Sequence, residues 1–115
     1  MPVHEQRTRQ INQLFRDGDI IDLRGTLGLD RWRYAGYQVD YVIVRVRNAD
    51  PRSQQLTLMI NGYTEDSVRP YNWESTMAIR GWKELDREIR TLELGITGWI
   101  DIDSITVYLT RNRYY

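Results

Sequence analysis

Between Leu92 and Leu109 the chain alternates apolar and polar residues with a period of two, and the alternation changes sides once. Leu92, Leu94, Ile96, Ile100 and Ile102 fall on even positions, whereas Ile105, Val107 and Leu109 fall on odd ones. Strand side chains point to opposite faces in turn, so one extra residue sends everything after it to the other face. A β-bulge, or a bend from one sheet into another, at Asp103-Ser104 lets both halves bury their branched side chains. A long closing strand of this kind commits the chain to sheet structure and suits a sandwich.

The rest of the chain agrees with that commitment. YQVDYVIVRVRN puts Val42, Val44 and Val46 on one parity and Tyr41, Ile43, Arg45 and Arg47 on the other, the pattern of a strand with one face on a core. After the turn signal Asn48-Ala49-Asp50-Pro51, QQLTLMING places Leu56, Leu58 and Ile60 inward and Met59 outward, and the two strands are expected to pair as a hairpin. DIIDLRGTL offers a strand near 19–24, STMAIRG another through Met77 and Ile79, and RTLELGI a third through Leu92, Leu94 and Ile96. YTEDSVRPYNWES reads as a long loop. Only HEQRTRQINQLFR departs from strand rhythm: Ile11, Leu14 and Phe15 share one helical face ahead of Asp17-Gly18, which predicts a short N-terminal helix. The expected organisation is an N-terminal helical segment over 1–18 and an all-β, antiparallel, jelly-roll-like β-sandwich over 19–115.

Length and composition narrow the function. At 115 residues the chain supports one core and no separate lid domain. Sixteen basic and sixteen acidic residues give zero formal charge, mixed along the chain, so no global field draws in nucleic acid or an anionic membrane. The absence of cysteine removes disulfides, thiolate metal sites and cysteine nucleophiles. No apolar run approaches the ~20 residues of a membrane span, and residues 1–10 lack the apolar centre of a signal peptide. No membrane insertion and no cofactor are expected.

The order DLRGTL, YAGYQVDYVIVRVRN, LTLMINGY and closing GWIDIDSITVYL resembles a bacterial jelly-roll of the galactose-binding or carbohydrate-binding-module type, over residues 19–110. The resemblance implies a β-sandwich with a binding role outside the cell, in the periplasm or in the cell envelope. It transfers no binding residue, because such modules place their ligands on different faces and loops.

Candidates for catalysis and metal binding are few. His4 is the single histidine and lies at the N-terminal end, a poor position for a Ser-His-Asp arrangement. Asp101 and Asp103 lie two apart on one strand, about 7 Å between Cα atoms, but acids on an outward strand face are usually solvated or paired with arginine. Asp17, Asp19 and Asp22 cluster around Gly18 without an EF-hand pattern, and neither a thiolate nor a histidine pair invites a transition metal. We therefore expect no enzyme and no metal site.

Aromatic residues are the informative surplus. Trp32 and Tyr34 with Arg33 in one loop, and Tyr71 and Trp73 with Asn72 in another, combine flat faces with hydrogen-bonding neighbours and form the expected ligand-binding set for a carbohydrate or surface glycan. The interleaved Arg31–Tyr34 run also fits a single-strand nucleic-acid binder, but Asp30, Asp40, Glu65, Asp66 and Glu74 dilute any phosphate-binding stripe, so no nucleic-acid partner is expected. The competing expectation is an assembly module: Tyr41, Ile43 and Met59, on the outward parity of their strands, would meet a second copy in a homo-oligomer.

Overall fold

A computed structural model describes residues 3–50, 52, 54–70, 74–81 and 83–111. Eight strands run in chain order: β1 (Val3–Phe15), β2 (Ile20–Asp22), β3 (Gln38–Ala49), β4 (Gln55–Ile60), β5 (Tyr63–Val68), β6 (Glu74–Ala78), β7 (Leu92–Thr97) and β8 (Ile100–Arg111). They form two antiparallel four-stranded sheets, sheet A in the order β1-β8-β3-β6 and sheet B in the order β2-β7-β4-β5. Every consecutive pair except β4–β5 therefore either crosses between sheets or skips a neighbour, which is the double Greek-key wiring of a jelly roll. The expected all-β sandwich is the observed fold.

One core lies between the sheets. Val42, Val44, Val46, Leu56, Leu58, Ile60, Leu92, Leu94 and Ile96 are all buried, as their parity predicts. Ile100, Ile102, Ile105, Val107 and Leu109 are buried too, so both halves of the closing run reach the core. The reset is a bulge. Arg45 faces Ser104 and Val46 faces Ile102, which leaves Asp103 as the extra residue on β8, and β8 stays in sheet A from end to end.

The predicted N-terminal helix is instead β1, paired with β8 along its length. Ile11, Leu14 and Phe15 imitate a helical face because β1 carries its own irregularity. Gln10 faces Ser104 and Gln13 faces Ile102, with Asn12 at a φ of 49°. That irregularity leaves Ile11 and Phe15 packed on the core while Leu14 turns outward. The short helix of the fold is α1 (Leu23–Leu27), which follows the three-residue β2 and ends on Gly28 at a φ of 71°. Leu23 and Leu27 bury one side of α1 against an end of the core, so DLRGTL is only partly strand.

Two further expectations change. Strands β3 and β4 do not form a hairpin, because the turn after Ala49 carries the chain from sheet A to sheet B. The stretch read as a loop contains β5, whose carboxylates reach across to sheet A. Asp66 Oδ2 accepts the Ala78 N–H at 3.0 Å, and Glu65 Oε1 accepts the Arg80 N–H at 2.7 Å. Lys83 Nζ donates to Glu65 Oε2 at 2.8 Å. These bonds close the β5/β6 side of the sandwich by occupying backbone donors at the end of the edge strand β6 and just past it.

Candidate functional site

The outer face of sheet A assembles side chains from four strands in register. Gln6, Tyr108 and Tyr41 form one row; Thr8, Thr106, Ile43 and Thr76 the next; Gln10, Ser104, Arg45 and Glu74 a third. On β3, β6 and β8 the alternate residues fill the core, so this set lies on the outer face of the sheet, where Ser104 alone among them is buried between its neighbours. Tyr41 and Tyr108 stack with ring centroids 4.6 Å apart and an interplanar angle of 26°. Below them the Thr8 and Thr106 hydroxyls lie 2.8 Å apart, and Arg45 Nε approaches Glu74 Oε2 at 3.5 Å.

Two adjoining depressions follow these rows. One, of about 330 Å³, runs from Gln6 and Tyr108 past Ile43 to Arg45 and Glu74; the other, of about 460 Å³, shares Arg45 and Glu74 and continues to Arg47 and Asp103. From Tyr108 to Asp103 the groove follows β8 over five residue steps, about 17 Å at the rise of a strand. Its lining offers amides and hydroxyls that both donate and accept, one ion pair, and the Tyr108 ring at one end.

Ile43 thus belongs to a mixed polar groove, with Tyr41 stacked on Tyr108 beside its head. Met59, expected to share an apolar patch with them, lies on the outer face of sheet B, on the opposite side of the molecule. Its methyl group lies over Gly95, 3.1 Å from where a Cβ would stand, so Met59 is half-buried within its own sheet. The three residues do not form one surface.

Of the loop candidates, only Trp32, Arg33 and Tyr34 lie among the described residues. Trp32 begins a 3-10 helix (Trp32–Tyr34) and is 88 % exposed, but Tyr34 is buried. The Tyr34 ring packs edge-on to Tyr37 at 5.8 Å under the Arg33 guanidinium, which lies 4.7 Å from its centroid and bonds Glu5 at 2.6 Å. A ring that closes the end of a core has no free face for a ligand. Tyr71, Asn72 and Trp73 lie outside the described residues.

His4, Asp101, Asp17 and Asp19 have structural partners. His4 Nδ1 lies 3.4 Å from the Thr110 hydroxyl, but that hydroxyl makes a short hydrogen bond as donor to Asp40 Oδ2, so its proton is directed away from the imidazole. Asp101 pairs with Arg47 at 2.8 Å. Asp17 Oδ1 accepts the Gly98 N–H at 3.0 Å and Asp19 Oδ2 the Arg16 N–H at 2.8 Å, so these carboxylates cap turns. Among the described residues no three histidine or acidic side chains converge as a metal site, and no helix is long and apolar enough to cross a membrane.

Sequence reasoning missed Tyr108, Gln6, Thr8 and Gln10. The signal was present as alternation: the even positions 4–10 and 104–110 carry His, Gln, Thr, Ser and Tyr, opposite a partly apolar odd set.

No family model matches the chain, and no characterised protein matches it in sequence. Solved structures match its fold. A crystal structure of FlhE aligns over 97 % of this chain and 98 % of that one, with a TM-score of 0.52 and 11 % identity. The coat protein dimer of Tobacco streak virus aligns over 97 % of this chain and 88 % of that one, with a TM-score of 0.56 and 6 % identity. At such identities the likeness is one of fold.

Proposed function

We propose that this protein is a non-catalytic recognition module of the cell envelope or exterior, and that it binds a carbohydrate chain along the outer face of sheet A. The reading rests on one observation, the Tyr41–Tyr108 stack at the head of a groove lined by Gln6, Thr106, Gln10 and Arg45. Sugar rings present apolar C–H faces to aromatic rings and hydroxyls that need both donors and acceptors, and this lining supplies both. A groove of about 17 Å suits several linked sugars better than one. Exposed stacking of this kind contributes about 1 kcal/mol per ring, so a single module binds weakly and repeated copies matter.

A glycan array probed with multivalent protein tests the proposal. Binding to a linear glycan that is weakened about fivefold by Tyr108→Ala, with the fold intact, supports it. Binding that survives Tyr108→Ala but fails in Trp32→Ala would move the site to the loops. Failure to bind any glycan, confirmed by titration with soluble oligosaccharides, would overturn the carbohydrate reading.

A further inference from the structure

The two sides of the sandwich are finished differently. On the β5/β6 side, Asp66 and Glu65 occupy the backbone donors of Ala78 and Arg80. On the other side the edge strands β1 and β2 stand apart over a cleft of about 560 Å³. Helix α1 covers only the upper part of β1, where Arg7 Nε donates to Leu27 O at 3.2 Å. Below it the cleft is lined by Ile11, Phe15 and Ile21, with Ile20 at its mouth, 59 % exposed. Arg9 stands on the β1 rim and Asp22 on the β2 rim, and neither has an ion-pair partner among the described residues.

A strand from another protein is a poor occupant. The irregularity between Gln10 and Gln13, with Asn12 at positive φ, breaks the regular ladder that strand addition requires. The surface is instead self-complementary: a projecting isoleucine sits beside a mixed cleft in which Ile11, Phe15 and Ile21 lie among Gln10, Gln13 and Thr26, and charges of opposite sign without an ion-pair partner among the described residues flank both. A two-fold axis brings each projection to the other copy's cleft and each arginine to the other copy's aspartate.

We propose that this open side is a two-fold interface between copies of this chain, with Ile20 of each inserted in the other's cleft and Arg9 facing Asp22 across the axis. Apart from Gln10, which borders both the cleft and the groove on sheet A, the two surfaces use different residues, so a dimer presents two grooves and binds a repeating polymer with avidity.

Sedimentation equilibrium on the full chain, from micromolar to several hundred micromolar, tests the proposal. The expected result is a monomer–dimer equilibrium whose dissociation constant rises at least tenfold in Ile20→Lys, with the thermal midpoint of the monomer unchanged because the side chain is exposed. Arg9→Asp and Asp22→Arg should each weaken the dimer, and the double variant should recover most of the loss. A monomer over the whole range, or a dimer indifferent to Ile20→Lys, overturns the interface. Should Asp22→Arg disturb the start of α1, Arg9→Asp against wild type and Ile20→Lys still decide the question.

Discussion

Tyr41 and Tyr108 face each other on adjacent strands of sheet A and stack at 4.6 Å, on the side of the sheet away from the core. Neither ring is needed to fill the interior, so each can be removed without opening a cavity. Tyr41→Ala and Tyr108→Ala should each weaken glycan binding about fivefold, the equivalent of ~1 kcal/mol, with little change in stability. Calorimetric titration with an oligosaccharide checks this, and Trp32→Ala serves as the control expected to bind normally.

The extra residue at Asp103 allows one strand to feed the core on both sides of it. Deleting Asp103 should turn Ile105, Val107 and Leu109, or else Ile100 and Ile102, toward solvent, and the cooperative thermal transition should vanish. Asp103→Asn keeps the residue count and should melt like the parent. A deletion variant that melted normally would show that the neighbouring strands can absorb the shift.

Arg24 is the charged residue most deeply set in the described structure, at 7 % exposure. Its guanidinium donates to the carbonyls of Ile89 and Arg90 and to Asp86 at 2.7 Å, and lies 3.1 Å from Asp30. It thereby ties α1 to the turn before β7. Arg24→Ala strands two carbonyls and should cost about 2–3 kcal/mol in urea unfolding, whereas the exposed Arg31→Ala should cost less than about 0.5 kcal/mol.

Glu65 carries a pH dependence. Burial alone would raise its carboxyl pKa, but the Lys83 ammonium and the Arg80 N–H outweigh burial and hold it below the ordinary glutamate value of 4.5. A folded-state pKa below the unfolded one gives stability that is complete above about pH 4.5 and is lost as pH falls through the folded value. Glu65→Gln should therefore be less stable than the parent at pH 7 and should lose less stability on acidification toward pH 3. Urea unfolding at the two pH values measures both; equal acid sensitivity in the two proteins would remove Glu65 from the account.

Period-two alternation is a local property of the chain, and what depends on it was legible in the sequence. Val42 to Val46, Leu56 to Ile60 and Leu92 to Ile96 declare their buried face within a few residues, and the reset at Asp103 declares its bulge in the same way. Residues 3–15 could not be read so. Their spacing of Ile11, Leu14 and Phe15 serves a helix equally well, and what makes them a strand is a ladder to β8, in which Glu5 meets Leu109. Sheet membership is equally non-local: β3 and β4 have the same pattern whether they pair or face each other, and only their packing put Tyr41 and Met59 on opposite sides. The groove is the extreme case. Gln6, Tyr41, Glu74 and Tyr108 share one face because four strands from distant parts of the chain share a register, and backbone hydrogen bonding sets that register across the sheet, where no single stretch of sequence records it.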